Sequence, residues 1–346
     1  MEIYLAPLEG VTGHIVRNAF AHNFRGIDKY YTPFIPAAKR MNQKILRDIA
    51  PENNVGIRLI PQLMSNRAQE VLDIAHQLQE YGYREVNLNL GCPSGTVVSK
   101  HRGSGLLAYP DELDTFLYGI FEKADFPVSV KTRVGFSGDF DWENILEIYG
   151  KYPLCELTVH PRVRADFYKG SPRLEDFDLA YERYCEADFS TQLCYNGDIT
   201  DAASYNALMA RYPKLQRVMI GRGLLANPAL AQMIADRTGE GASAGSDAGA
   251  SPDNLDSYRS AFRAFHDEIF DGFCNIFPGE KDAMFHMKEI WGYLIASFAD
   301  GEKLGKKIRK AQSVQEYRVY VNELFEHHGL NIINFQTESC QSGHPS

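Results

Sequence analysis

The feature that most constrains this chain is the alternation of short apolar runs with amphipathic segments from residue 1 to about residue 235. The apolar runs have the alternation typical of β-strands, and the spacing between them is helical, most clearly at 66–81. We place strands at 1–6, 28–35, 56–63, 85–90, 127–133, 154–160, 191–196 and 215–220. Such regular units predict a closed (β/α)8 barrel, an α/β TIM-barrel fold of about 250 residues. An open doubly wound sheet is the alternative, but no G-x-G-x-x-G motif follows the first strand.

The remainder of the chain predicts a second, smaller domain that is entirely helical. Residues 1–238 are assigned to the barrel, and the Gly/Ala/Ser-rich stretch 239–252 to a flexible linker. Residues 253–335 carry apolar side chains at helical spacing, and 336–346 read as a disordered tail. This smaller domain is locally basic, because 301–320 contains six basic residues and two acidic ones.

Composition excludes several classes of protein. No apolar stretch approaches the roughly 20 residues of a membrane span, and no basic segment precedes the first apolar run. The six cysteines have no C-x-x-C spacing, so we expect a reduced cytoplasmic protein without a bound metal. We expect a monomer, because no heptad pattern occurs. The net charge of −9 argues mildly against nucleic-acid binding, but a whole-chain charge can conceal a basic surface.

Polar residues or glycines follow almost every predicted strand. In barrel enzymes the active site lies at these carboxyl ends of the strands. Any single such residue has a plain alternative as a loop residue, and Gln62 and Asn196 are the first candidates for it. The ends carry Pro7, Gln62, Asn89 with Cys92, Lys131 with Arg133, His160, Asn196 with Asp198, and Gly221 with Arg222.

Three of these positions suggest chemistry, each with a structural alternative. Cys92 stands between a glycine and a proline, where it is either a reactive thiol or a small buried side chain. The loops at 196–198 and 221–223 follow strands seven and eight, a common phosphate site, or are ordinary glycine turns. Lys131 either stabilises the anionic form of a reduced flavin or takes part in a buried ion pair.

Together these motifs resemble the tRNA-dihydrouridine synthase family, a bacterial type of flavoenzyme. The resemblance covers residues 1 to about 235 and extends into the helical tail through K-E-I-W-G-Y-L and K-K-I-R-K. The motifs that carry it, in order, are A-P-L-E-G-V-T, N-L-N-L-G-C-P-S-G, V-K-T-R-V-G, H-P-R-V-R, Y-N-G-D-I and I-G-R-G-L-L-A-N-P.

The resemblance implies an FMN-dependent oxidoreductase that uses NADPH and acts on tRNA. Reduced FMN would pass hydride to C6 of a uracil, and Cys92 would protonate C5 as a general acid. The target nucleotide would leave the base stack to reach the flavin. By the same resemblance, Asn89, Arg133 and Tyr168 would contact the uracil or its surroundings. FMN would be held by Pro7, Leu8, Glu9, Gln62, Lys131, His160, Asn196, Gly197, Asp198, Gly221 and Arg222.

This chain departs from the family pattern at two positions. Leu8 replaces the usual Met, a change of similar volume that we expect to be silent. Pro161 stands where the family has Gly or Ala, which affects the pose of Arg162.

Local charge suggests a basic path for the tRNA backbone. It would comprise Lys100, His101, Arg102, Arg162, Arg164, Lys169 and the cluster at 303–310. The alternative for that cluster is a solvated helix face.

Two other functions remain open. One is an FMN barrel acting on a free pyrimidine, like a dihydroorotate dehydrogenase, although a free base needs no basic helical domain. The other is a tRNA-binding or folding-assistant protein without chemistry, against which Cys92, Lys131 and His160 argue.

Overall fold

The structure is a computed structural model that describes residues 1–36, 41–138, 142–186, 190–238 and 252–331. The predicted tail at 336–346 and all but the last residue of the predicted linker lie outside the described residues. Two compact units are present. The first consists of residues 1–18, 27–198 and 209–221, and the second of 19–26, 199–208 and 222 onward.

The described part of the first unit contains eight parallel strands, two of them interrupted. The interrupted strands are β2, formed by Lys29–Tyr31 and Ile35–Pro36, and β3, formed by Leu59–Ile60 and Gln62–Met64. The others are β1 (Glu2–Leu5), β4 (Val86–Leu90), β5 (Val128–Gly135), β6 (Glu156–Val163), β7 (Gln192–Tyr195) and β8 (Arg217–Ile220).

These strands close into a ring. β1 pairs with both β8 and β2, and each later strand from β3 to β7 pairs with the next. The two halves of β2 pair separately with the two halves of β3, as Tyr30 with Leu59 and Ile35 with Leu63. Every strand therefore has two parallel neighbours, which confirms the predicted barrel.

Prolines account for the two interruptions. Pro33 and Pro61 have no backbone N–H to donate, so neither can continue a regular ladder. The side chain of Thr32 replaces part of the missing pairing, because its Oγ1 accepts a hydrogen bond from the Gln62 N–H at 2.9 Å. At the break, the Gln62 N–H therefore donates to a side chain in place of a backbone carbonyl.

Ten helices in the described residues follow or connect these strands. The sequence pattern did not predict the helices Gln43–Ile49, Gly95–Val98 and Leu174–Tyr181. It indicated one helix over 224–237, where the structure has two, Arg222–Ala226 and Leu230–Thr238. Pro228 explains that division, since a residue before proline disfavours helical backbone. The helices are α1 (His14–Asn23), α2 (Gln43–Ile49), α3 (Ala68–Glu80), α4 (Gly95–Val98), α5 (Pro110–Phe121), α6 (Trp142–Gly150), α7 (Leu174–Tyr181), α8 (Ala202–Arg211), α9 (Arg222–Ala226) and α10 (Leu230–Thr238).

A buried polar network occupies the amino-terminal end of the barrel interior. Lys29 and Glu156 are the first residues of β2 and β6, and their side chains form an ion pair of 2.8 Å. The hydroxyls of Tyr4 and Tyr31 donate to the same carboxylate at 3.0 and 2.8 Å. A mainly apolar cluster is also buried in the barrel and consists of Tyr4, Ala6, Tyr31, Ile60, Cys194 and Met219.

The second unit contains the remaining long helices. They are α11 (Pro252–Ile276), α12 (Glu280–Leu294), α13 (Glu302–Lys310) and α14 (Val314–His327). The apolar residues that predicted helices here, such as Phe262, Phe265, Ile290 and Trp291, are buried. The unit also includes 19–26 and 199–208, which the sequence pattern had placed with the barrel.

Candidate functional site

Side-chain amides form a chain of hydrogen bonds across β3, β4 and β5. Asn89 Nδ2 donates to Gln62 Oε1 at 2.7 Å, and Gln62 Nε2 donates to Asn87 Oδ1 at 2.8 Å. Asn87 continues the chain to Ser129 on β5 at 3.0 Å. Gln62 is completely buried and therefore not a plain loop residue. The chain fixes Asn89, which directly precedes the Cys92 turn.

The side chain of Asn89 holds the backbone conformation of the turn that carries Cys92. Its Oδ1 accepts hydrogen bonds from the N–H groups of Gly91 and Cys92, at 3.1 and 2.9 Å. Burial raises the pKa of the Cys92 thiol, and the nearby Glu9 carboxylate raises it further. The thiol is therefore protonated at neutral pH, as a general acid must be before it reacts.

A glycine-containing segment, not singled out from the sequence, holds the Cys92 turn from the other side. The N–H and hydroxyl of Ser104 donate to the Cys92 carbonyl at 3.1 and 2.8 Å. Gly103 has φ +56°, and a Cβ there would lie 2.9 Å from the same carbonyl. Only glycine meets both demands without strain. The signal in the sequence is the G-S-G run at 103–105.

Lys131 lies in the middle of β5 and is paired in register with Asn89, near the carboxyl end of β4. Burial lowers the pKa of its ammonium to about 8, and the positive charge of Arg133 adds to the effect. Among the described residues, none forms a hydrogen bond or ion pair with its Nζ. The predicted alternative of a buried ion pair is therefore absent from the described part of the chain.

Arg133 is buried and connects three backbone segments. Its Nε donates to the Gly91 carbonyl at 2.9 Å, Nη1 to Val163 at 3.0 Å and Nη2 to Phe167 at 2.7 Å. Its side chain also hydrogen-bonds with that of Tyr168, so the guanidinium joins these segments to the exposed tyrosine. The predicted uracil contact is thus combined with a structural role between the Cys92 turn and the loop after β6.

Arg162 is fully buried, so it presents no charge to an RNA backbone at the surface. Its two terminal nitrogens form an ion pair with Asp198, and Nη1 lies 3.0 Å from His160 Nε2. Because a guanidinium can only donate, His160 Nε2 must accept, which places the imidazole proton on Nδ1. Arg162 Nε has no acceptor in the described protein, although it is buried.

The two predicted phosphate loops adjoin the ends of β7 and β8. Asn196 Nδ2 donates to the Met219 carbonyl at 2.8 Å, which fastens the first loop to β8. A Cβ on Gly197 would collide with the Tyr195 ring. A Cβ on Gly221 would lie 3.2 Å from the Ala6 side chain, so this glycine keeps the backbone open beside the loop after β1.

The other predicted flavin residues lie in the loops next to these. Pro7 and Leu8 are half-buried and Glu9 is exposed, and the Leu8 N–H donates to Thr12 Oγ1 at 2.8 Å. Arg222 is the first residue of α9, directly after Gly221. Within the described ranges, the Lys131 ammonium has no partner and the Arg162 Nε–H has no acceptor. An anionic, planar cofactor such as FMN would satisfy both, and Gly221 leaves space for it.

Two aromatic side chains in the loop after β6 are exposed. Tyr168 is 50% exposed, and its ring centroid lies 6.1 Å from that of His160. The Arg133 guanidinium lies 5.4 Å from the Tyr168 ring. Phe167 is 42% exposed and has φ +51°, which costs a residue other than glycine about 1–3 kcal/mol. The sequence pattern identified Tyr168 but not Phe167.

The predicted basic path is only partly exposed. The Lys100 side chain is exposed, whereas Arg102 is half-buried and pairs with Glu70 at 3.3 Å. In the second unit, α13 buries Leu304 and Ile308. Its exposed basic residues are Lys303, Lys306, Lys307, Arg309 and Lys310. The geometry is compatible with both an RNA surface and a solvated helix face.

The described residues contain neither a metal-binding cluster nor a membrane-spanning helix. They contain no group of three or more His, Cys, Asp or Glu side chains arranged to hold a metal ion. None of the helices in that part of the chain combines the length and apolar character needed to span a membrane.

Known proteins resemble the chain over most of its length. Residues 4–252 match the model of a family described as dihydrouridine synthase. A tRNA-dihydrouridine synthase B from Pasteurella multocida is 30% identical over 236 residues, 67% of this chain and 68% of that protein. A Staphylococcus aureus protein named a probable tRNA-dihydrouridine synthase is 27% identical over 227 residues, 65% of this chain and 68% of that protein.

Among solved structures, morphinone reductase aligns with 69% of this chain and 86% of its own, at 13% identity and a TM-score of 0.46. Because this structural similarity is weak, the fold assignment rests on the strand pairing of this chain itself.

Proposed function

This chain belongs to the dihydrouridine synthase family, and we propose that it reduces the C5=C6 bond of a uridine in tRNA, with FMN as cofactor and NADPH as reductant. The observation that carries the proposal is that two groups lie on neighbouring strands at one barrel mouth: the Lys131 ammonium, which has no partner among the described residues, and the protonated thiol of Cys92. A reduction of this kind needs a positively charged environment for the hydride carrier and a proton for the second carbon.

Cys92 is proposed as the general acid. When bound, FMN would supply the hydride that adds to C6 of the uracil. Cys92 donates the proton that C5 needs, and the resulting thiolate recovers a proton from solvent. Asn89 orients the turn, and Arg133 with Ser104 holds it in place through the carbonyls of Gly91 and Cys92.

The residues proposed to hold FMN divide by chemistry. Lys131 supplies positive charge, and His160 presents the N–H on its Nδ1. Asp198 neutralises Arg162, so that its carboxylate does not repel an anionic ligand. The loops at 196–198 and 221–222 would receive the phosphate. Pro7, Leu8, Glu9 and Gln62 shape the wall beside them.

Substrate contacts are proposed for residues with unused or exposed groups. Tyr168 exposes half of its surface, and Arg133 lies beside it, 5.4 Å from its ring. Asn89 Nδ2 retains one N–H beyond its bond to Gln62. Lys100 and Arg102 lie in the loop after Cys92, where they would meet the RNA backbone. Arg162 is paired with Asp198, so it would contribute to substrate binding only indirectly, by shaping the FMN site.

The test is dihydrouridine formation in an unmodified tRNA transcript by the purified protein with FMN and NADPH, measured by nucleoside mass spectrometry. We expect formation by the unaltered protein and a loss of roughly 10²–10⁴-fold in Cys92→Ala. Cys274→Ala, which alters a half-buried cysteine of α11, is the matched control and should retain full activity. Bound flavin without dihydrouridine would contradict the proposal and make dihydroorotate the next substrate to test.

The basic residues of α13 are proposed to contact the tRNA backbone. Lys306→Glu with Lys307→Glu should weaken tRNA binding and reduce its dependence on salt concentration. Lys123→Glu with Lys214→Glu makes the same charge change at exposed lysines of the barrel unit and serves as control. Equal affinity and equal salt dependence in both double variants would leave α13 as a solvated helix face.

A further inference from the structure

A cation lies over two aromatic rings at the mouth of the barrel. The Arg164 guanidinium carbon lies 5.4 Å from the Phe136 ring centroid and 5.3 Å from that of Phe167. Its Nε donates to the Pro93 carbonyl at 3.3 Å, directly after Cys92 in the chain. The stack of Phe136, Arg164 and Phe167 is therefore bonded to the turn that carries the thiol.

The backbone of Phe167 is held in an unfavourable conformation. Its φ of +51° with ψ of −100° lies where glycine is preferred. Two hydrogen bonds hold the residue there, from the Phe167 N–H to Arg164 at 3.2 Å and from Arg133 Nη2 to the Phe167 carbonyl at 2.7 Å. A buried ring would offset such strain by its burial, but Phe167 is 42% exposed. Folding alone gives no reason to keep a large ring at this position.

We infer that the exposed face of Phe167 binds an unpaired nucleobase of the RNA, adjacent to the uridine that enters the site. The inference rests on the proposed function and adds a specificity residue to it. A base would continue the stack from Phe136 through Arg164 to Phe167, with the guanidinium strengthening the ring's contacts. Exposed aromatic rings beside cationic side chains are the typical platform for unpaired bases. Tyr168, which lies beside His160, remains the residue for the uracil itself.

The experiment measures kinetics and base stacking separately. Phe167→Ala and Phe167→Leu remove the π-face, and Leu keeps the same backbone strain and much of the apolar surface. Phe167→Trp keeps the π-face. Tyr118→Ala removes an aromatic residue of α5 that is 59% exposed and is the matched control. The tRNA probe carries 2-aminopurine on either side of the modified uridine, and its fluorescence reports stacking without turnover.

We expect the Phe167→Ala and Phe167→Leu variants to have a roughly tenfold higher KM for tRNA, which is the effect of losing one base–aromatic stack. Their kcat, their KM for NADPH and their FMN content should be unchanged. Binding to the unaltered protein or to the Phe167→Trp variant should quench the 2-aminopurine fluorescence of the tRNA. Binding to the Phe167→Ala or Phe167→Leu variant should not. Phe167→Gly should match Ala in KM and exceed it in stability, because glycine relieves the strain.

Three outcomes would overturn the inference. The Phe167→Leu variant could bind tRNA as tightly as the Phe167→Trp variant. The KM for NADPH could rise in place of the KM for tRNA, or the fluorescence quenching could be the same whichever residue is at position 167. The fluorescence measurement needs no turnover, so it tests the inference even if dihydrouridine does not form. Absence of dihydrouridine from the unaltered protein counts against the proposed function alone.

Discussion

Two lysines inside the same barrel have opposite surroundings. Lys29, at the amino-terminal end, is 2% exposed and forms a 2.8 Å ion pair with Glu156. The hydroxyls of Tyr4 and Tyr31 complete the bonds of that carboxylate. Lys131, level with Asn89 near the carboxyl end of β4, is also mostly buried, but no described residue pairs with its ammonium.

The contrast separates the two tasks of the barrel. Removing any member of a fully hydrogen-bonded buried network lowers the free energy of unfolding, so the residues of such a network maintain the fold. An unpaired buried cation lowers stability and persists where a ligand completes it. Barrel enzymes place stability at the amino-terminal face and chemistry at the other. The surroundings of each lysine, and not its residue type, therefore indicate its role.

The largest expected effect is on stability at the amino-terminal end. Lys29→Met leaves the Glu156 carboxylate buried without its cation, which should lower the free energy of unfolding by about 3–5 kcal/mol in urea titrations. Arg58→Met is the control, because Arg58 is exposed and its ion pairs to Glu2 and Glu85 are 3.7–3.9 Å long. It should change the same quantity by about 1 kcal/mol or less. Equal losses in the two variants would contradict the proposed role of the network.

Lys131→Met should reverse that result. We expect dihydrouridine formation per bound FMN to fall roughly 10²–10³-fold, the usual loss when one preorganised electrostatic group is removed. The free energy of unfolding should stay equal or increase, because the variant no longer buries an unpaired charge. Activity assays and urea titrations of the same preparation give both numbers. A loss of stability like that of Lys29→Met would mean that the two lysines do not differ in role.

Two glycines with positive φ extend the comparison to the backbone. Gly103→Ala adds a Cβ 2.9 Å from the Cys92 carbonyl, whereas Gly82→Ala meets nothing within 4 Å. Both variants should lose about 1–2 kcal/mol of stability from left-handed backbone alone. Gly103→Ala should lose about 1 kcal/mol more from the contact and should also lower kcat, because the Cys92 turn must shift. If kcat falls equally in both, the loss reflects general destabilisation.

The fold was largely predictable from the sequence, because it depends on local patterns. The alternation of residues in 85–90 and the helical spacing in 66–81 each predicted an element within a few residues of its observed bounds. Cys92 and Lys131 were identifiable because each stands at or near the end of a predicted strand. The helix α7 was missed, because its eight residues follow a polar loop with few apolar positions.

The partners of charged residues were not predictable, because distant segments supply them. Lys29 and Glu156 are 127 residues apart, and only closure of the barrel brings them together. Arg162 read as an exposed cation of a polar loop, but β6 continues through it to Val163 and buries it beside Asp198. The φ of Phe167 likewise depends on Arg133, which no local pattern connects to it.

The smallest predicted effect concerns the pH dependence of stability, and its sign follows from Lys131. Folding lowers the pKa of this ammonium from 10.5 to about 8, mainly through burial. Between these values the unfolded chain binds more protons than the folded chain, so stability increases as pH rises through the window. In flavin-free protein the gain should be about 1 kcal/mol between about pH 7 and pH 9, measured as the difference from Lys131→Met, which cancels other titrating groups. An ion pair at Lys131 would raise its folded-state pKa above 10.5, and stability would then stay nearly constant between pH 7 and pH 9, because both states would keep the proton. A difference that does not increase over this range would therefore show that Lys131 has a partner, and the contrast between the two ends of the barrel would be lost.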